Sequence, residues 1–146
     1  MIAVSACLAG IACRYDGKDH RIAQLEDMVR HAEALAICPE VLGGLPIPRD
    51  PCEIRGSQVI SCRGRDCTFA YRKGAEAALK QLQEKGITLA VLKARSPACG
   101  RDWIYDGSFT KKLIRGSGIA ASLFEQHGIR VLTEEEWKEK ERENNL

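Results

Sequence analysis

The chain has 146 residues, 45% hydrophobic and 29% charged, which suits one soluble folded core. Its 22 basic residues barely exceed its 20 acidic ones, and a net charge of +2 argues against a large nucleic-acid footprint, so an anionic ligand is expected to be small. No apolar stretch approaches the roughly 18 residues of a membrane span, Met1-Ile2-Ala3-Val4 does not read as a signal peptide, and an odd count of 7 cysteines fits reduced thiols in the cytoplasm better than a disulfide framework.

In chain order, residues 2–6 read as a first strand ending in the small loop Leu8-Ala9-Gly10. Ile22, Leu25, Met28, Val29 and Ala32 follow helical spacing within residues 21–34. Leu35 to Ile37 is a short second strand. The three prolines and adjacent glycines between Cys38 and Arg49 predict a shaped loop without regular structure. Residues 54–61 read as a marginal strand or hairpin arm. A helix capped by Asp66 or Thr68 is expected to run to Lys85, with Phe69, Ala75, Ala78, Leu79 and Leu82 facing inward and Gly86 ending it. Ile87 to Leu92 is the clearest strand, and residues 95–107 form another irregular loop. Gly116-Ser117-Gly118 opens a helix from Ile119 to Gln126, closed by Gly128. Ile129 to Leu132 is a last strand, and Thr133 with Glu136 forms a capping box for a charged final helix with a frayed tail. This alternation predicts an α/β fold: a three-layer, Rossmann-like arrangement with a mostly parallel sheet flanked by helices. One domain, 1–146, is expected, with its core over about 2–133 and the charged helix over about 133–146.

Three cysteines, Cys7, Cys38 and Cys99, each follow a short apolar run. If those runs are parallel strands, the thiols gather at one edge of the sheet, where open α/β sheets build their sites. Three sulfurs are one short of a closed structural site, which leaves a metal position open for chemistry. None of the 3 histidines (His20, His31, His127) falls in the cysteine loops, and thiolates without imidazole favour iron–sulfur over zinc. Cys13 fits a supporting place near Cys7, whereas Cys52, Cys62 and Cys67 read as packing thiols. Glu40, two residues after Cys38, suits general acid–base work, and Ser96 precedes Cys99 by three residues. Arg14 with Asp16 reads as a loop-bracing ion pair. Lys93, Arg95 or the turn Gly116-Ser117-Gly118 are the candidates for holding a substrate phosphate, the turn through its backbone N–H groups.

The segments Ser5-Ala6-Cys7-Leu8-Ala9-Gly10, Cys13-Arg14-Tyr15-Asp16-Gly17, Cys38-Pro39-Glu40-Val41-Leu42-Gly43-Gly44-Leu45-Pro46, Pro48-Arg49, Leu92-Lys93 and Ser96-Pro97-Ala98-Cys99-Gly100, with the later run Tyr105-Asp106-Gly107-Ser108-Phe109, resemble the thiouracil desulfurases (TudS) over roughly residues 2–133. The resemblance implies a [4Fe-4S] cluster held by Cys7, Cys38 and Cys99, with one iron open. It implies removal of sulfur from a thiolated uracil, base or nucleotide, with Glu40 as acid–base and Ser96 as the orienting hydroxyl. Ala98 stands where many relatives have serine, and Cys52, Cys62 and Cys67 stand where alanine, threonine and valine are expected.

On this reading the reaction is a non-redox hydrolysis yielding uracil and sulfide. Two other classes compete with this one. Cys7 and Arg14 loosely resemble the nucleophile loop of a tyrosine phosphatase, but one residue too many lies between them. A non-catalytic iron–sulfur or sulfur-binding module would carry the same ligands without turnover.

Overall fold

In the computed structural model, which describes residues 1–144, four strands form one parallel sheet in the order β2-β1-β5-β8. They are β1 (Ile2–Ser5), β2 (Ala34–Ile37), β5 (Leu89–Leu92) and β8 (Arg130–Thr133). Ala3 lies opposite Leu35 on one side and Ala90 on the other, and Leu89 lies opposite Arg130. The runs are almost wholly apolar because both faces are covered. Ala3, Ala90, Leu92 and Val131 pack under α3 (Thr68–Glu84) and α4 (Ile119–Gln126), against Ala78, Leu82, Ala120 and Phe124. On the opposite face Val4, Ala34 and Val91 pack with Leu8, with Leu25 of α1 (Ala23–Arg30) and with Trp137 of α5 (Glu134–Asn144). These are the three expected layers. No helix among the described residues is long and apolar enough to cross a membrane.

The sheet reverses its order beside β1. The chain leaves β1 for β2 on one side, then crosses to β5 on the other. In open parallel sheets the crevice at such a reversal, outside the carboxyl ends of the strands, is where ligands bind.

Four expectations need correction. The stretch after Cys38 is not wholly irregular: Pro39–Leu42 forms a single helical turn, α2. A proline at the first helical position has the right φ and no N–H to satisfy, so here it starts a turn instead of breaking one. Phe69 is 81% exposed. The inward face of α3 is set by Tyr71, Gly74, Ala75, Ala78, Leu79 and Leu82, and Phe69 sits about 200° round the helix from Tyr71. The marginal strand or hairpin arm expected over 54–61 is a full hairpin over 52–61, β3 (Cys52–Arg55) with β4 (Gln58–Ser61). Within the expected loop 95–107, β6 (Trp103–Tyr105) pairs antiparallel with β7 (Leu113–Arg115).

Several local signals appear as the residues dictate. Asp66 Oδ1 accepts the N–H of Thr68 at 2.9 Å and its hydroxyl at 2.6 Å just before α3, although the cap residue itself is Cys67, not Asp66 or Thr68, and makes no side-chain cap bond. The Thr133–Glu136 capping box is reciprocal, at 3.0 and 3.1 Å. The expected fraying of the last helix concerns a tail of which residues 145 and 146 lie outside the described residues.

α5 also braces the segment after β5. The buried Glu134 carboxylate takes the Lys93 ammonium at 2.9 Å and the Ala94 N–H at 2.7 Å. Glu135 pairs with Arg95 at 3.0 Å, and Glu136 with Arg101 at 2.9 Å. Three consecutive acids thus neutralise three cations of the segment that carries Cys99.

Candidate active site

A cavity of about 470 Å³ opens at the carboxyl edge of the sheet, and Cys7, Cys13, Cys38 and Cys99 all line it. Cys7 lies in a 3-10 turn, Ala6–Ala9, directly after β1. Cys38 follows β2 and precedes α2, and Cys99 sits in the loop after β5. A second hollow of about 510 Å³, lined by residues such as Ile2, His31 and Trp137, contains no cysteine.

The thiols sense one another. Burial, then the neighbouring Cys38, pushes Cys7 up to about 12. Burial raises Cys99 well above the ordinary thiol value, with Cys7 and Cys38 adding to the effect. Cys38 is drawn down to about 7, chiefly by a hydrogen bond from the Cys13 thiol, and donating that bond raises Cys13 in turn. Buried thiolates need a cation beside them, and metal binding supplies one as the protons leave.

Among the described residues no three His, Cys, Asp or Glu side chains converge closely enough to hold a single ion. Zinc needs its ligands gathered on one centre, whereas a cluster spreads its cysteines over several irons. Three soft sulfurs from three loops around a shared cavity therefore fit a cluster. His20, which the sequence placed away from the cysteines, also lines the cavity, and its amide donates to the Cys7 carbonyl at 2.9 Å. Burial, then Arg14 and Lys93, lower its pKa.

Glu40 projects from α2 into the same cavity. Its Oε2 accepts the Tyr71 hydroxyl at 2.9 Å and faces an Arg49 guanidinium nitrogen at 3.3 Å. The Arg49 and Glu40 side chains are only 6% and 15% exposed, so solvent screens the pair little. Arg49 Nη1 also donates to the Pro46 carbonyl at 3.2 Å, while its buried Nε has no partner among the described residues. Ser96 lines the cavity with Oγ accepting the amides of Ala98 and Cys99, both at 3.1 Å. Among the described residues its O–H has no acceptor. Ala98 is 1% exposed in the core behind this loop, so the serine-to-alanine departure does not alter the cavity wall.

Lys93 and Arg95 line the cavity but carry the carboxylate partners named above. Gly116, Ser117 and Gly118 do not line it. The amides that open α4 are already engaged: Gly118 donates to the Gly100 carbonyl, Ile119 to that of Pro97, and Ala120 to that of Ala98. A side chain at Gly118 would strike the Ala98–Cys99 backbone. This helix start supports the cysteine loop, and its Gly118, Ile119 and Ala120 amides are not available to a phosphate. Arg14 pairs with Asp16 at 3.4 Å, as the sequence suggested. Cys52 is also on the cavity wall, pushed up to about 12 by burial, while Cys62 is exposed and Cys67 half-buried.

The sequence missed Tyr71, Phe109 and Lys111. Phe109 and Lys111 reach the cavity from the β6–β7 turn, both at positive φ (59° and 64°). Glu53 Oε1 holds that turn through the amides of Gly107 and Phe109, and Arg55 holds the Gly107 carbonyl. Strained backbone at a cavity rim, fixed from outside, is a mark of binding elements.

A family model for 2-thiouracil desulfurase matches residues 2–136. The chain belongs to the 2-thiouracil desulfurase family. Among these desulfurases, a solved structure of the [4Fe-4S]-dependent thiouracil desulfidase TudS superposes with a TM-score of 0.90 at 43% identity, covering 94% of this chain and 93% of that one. The uncharacterized protein YbbK of Bacillus subtilis (strain 168) is 39% identical over 146 residues, 93% of this chain and 97% of YbbK.

Proposed function

We propose that this chain is a [4Fe-4S]-dependent desulfurase that hydrolyses the thiocarbonyl of a thiolated uracil to uracil and sulfide. The observation that carries the reading is the meeting of Cys7, Cys38 and Cys99, from the carboxyl ends of three neighbouring parallel strands, in one cavity with Glu40. The three cysteines would hold the cluster. The cluster, when bound, supplies a soft Lewis acid that prefers sulfur to oxygen.

The rest of the chemistry belongs to the chain. Water replaces sulfur: a C–O bond forms, the C–S bond breaks and sulfide leaves, with no net change in oxidation state. Glu40 lines the cavity with its carboxylate anchored through Oε2, and Oε1 would take the proton of the attacking water. The free Ser96 hydroxyl donates to the substrate ring and orients it. Phe109 offers an apolar face to the base. In a nucleotide, the phosphate falls to Lys111: Arg14, Arg49, Lys93 and Arg95 each have a carboxylate partner, and Lys111 has none among the described residues.

The phosphatase reading loses ground here. A thiolate nucleophile needs a lowered pKa, yet burial pushes Cys7 up to about 12. Anaerobic reconstitution with iron and sulfide, followed by addition of 4-thiouracil, tests the proposal. The expected result is a broad absorbance in the blue, lost in the Cys7→Ala, Cys38→Ala and Cys99→Ala proteins, together with bleaching of the thiouracil band and release of sulfide. A cluster with no desulfuration would leave a binding module, and no cluster at all would overturn the reading.

A further inference from the structure

Glu40 is anchored asymmetrically. Both of its protein partners, the Tyr71 hydroxyl and the Arg49 guanidinium, meet Oε2, and Oε1 accepts no hydrogen bond among the described residues. A carboxylate's two oxygens are chemically equivalent, so a freely rotating glutamate presents either one. Two donors on the same oxygen remove that freedom and leave the other oxygen for the cavity.

The Tyr71 hydroxyl donates to Glu40 at 2.9 Å. The residue is 1% exposed, and a buried phenol needs a polar partner. The Cys52 thiol, kept protonated by burial, stands beside the same hydroxyl. Its own proton goes to the Asp50 carbonyl at 3.7 Å, and the phenol donates to Glu40.

The helices are built to bring the two residues together. α2 and α3 meet backbone to backbone at Gly43 and Gly74, where a side chain on either glycine would strike the other helix. Tyr71 lies three residues before Gly74 on the same face of α3. The close approach at Gly74 therefore sets the height at which the Tyr71 hydroxyl reaches Glu40.

We propose that Tyr71 is a positioning residue for desulfuration: with Arg49 it fixes Glu40 through Oε2 and directs Oε1 at the reacting carbon. The proposal rests on the acid–base role given to Glu40 above. A tyrosine that merely fills the core would use Glu40 only to satisfy its own hydroxyl. The two roles part in kinetics. A group held out of line by about 1 Å loses on the order of 100-fold in rate, whereas a packing defect lowers stability and leaves the chemical step alone.

The test uses the reconstituted holoprotein with 4-thiouracil, in Tyr71→Phe, Glu40→Ala and double-variant forms, with iron content and melting temperature measured on each. Tyr71→Phe is expected to keep its iron, its KM within about twofold and its melting temperature within about 4 °C, while kcat falls on the order of 10–100-fold. In the Glu40→Ala background the same substitution is expected to cost nothing further, because its effect runs through Glu40. Unchanged kcat in Tyr71→Phe overturns the proposal, as does a loss repeated in full in the Glu40→Ala background. Wild-type turnover in Glu40→Ala alone strikes at the acid–base reading itself and removes the proposal with it.

Discussion

Gly74→Ala sets two known effects against each other. In an ordinary helix interior the change stabilises by up to about 1 kcal/mol, because alanine loses less backbone freedom than glycine. Here the new Cβ would lie far inside contact distance of the Pro39 carbonyl oxygen, with the Gly43 amide beside it. Both obstacles are backbone, so no rotamer change relieves the clash, and α2 must move by something over 1 Å to restore van der Waals separation. Forced overpacking of this kind costs about 1–3 kcal/mol, which outweighs the propensity gain. The expected net loss is about 1–2 kcal/mol, read as a fall of several degrees in melting temperature. The larger effect falls on the site, because α2 carries Glu40 and directly follows Cys38. Displacing them by that amount is expected to lower kcat on the order of 100-fold in a protein that still folds cooperatively. Thermal melts and steady-state rates on the reconstituted protein separate the two. A Gly74→Ala protein that is more stable than wild type and fully active would refute the α2–α3 contact as described.

Other outcomes are specific to single residues. Cys38→Ser is expected to reduce bound iron after anaerobic reconstitution and to abolish the blue absorbance, because oxygen is a poorer ligand for this cluster than sulfur. Lys111→Ala is expected to raise KM on the order of tenfold for 4-thiouridine monophosphate and to leave KM for free 4-thiouracil unchanged, consistent with the loss of one charged contact; equal changes for both substrates would remove Lys111 as a phosphate contact. Hydrogen bonds from the Thr68 hydroxyl and amide hold the Asp66 carboxyl below its ordinary value of 3.8. A depressed carboxyl stabilises the fold above its unfolded-state pKa and loses that contribution as pH falls through the folded-state value. Urea titrations between about pH 5 and pH 2 should therefore show wild type losing stability faster than Asp66→Asn.

The cysteines were readable because Cys7 and Cys38 come within two residues of a strand end and Cys99 lies in the loop after the clearest strand, and parallel strands put their carboxyl ends together. Glu40 and Ser96 were readable by proximity in sequence to those cysteines. Tyr71 was not, because its link to Glu40 depends on how closely two helices cross, and that depends on Gly43 and Gly74 facing each other across a gap no local pattern records. Lys93 and Arg95 do reach the cavity, yet the acids that neutralise them lie some forty residues later at the start of α5, where they read as a charged helix surface. Gly116-Ser117-Gly118 has the local pattern of an anion cradle, and only the fold shows that the Cys99 loop occupies its amides. The β6–β7 hairpin escaped notice because three-residue strands around a charged turn carry too little alternation to stand out.

The pairing of Glu134, Glu135 and Glu136 with Lys93, Arg95 and Arg101 bears on when the site can mature. A chain growing on the ribosome presents all three cysteines before it has made these glutamates, and domains assemble as their segments emerge. Until α5 docks, Lys93 and the Ala94 amide lack their carboxylate, and nothing from α5 holds the segment bearing Cys99. A protein cut short before Glu134 would keep every cysteine while forfeiting the ion pairs that brace the segment bearing Cys99.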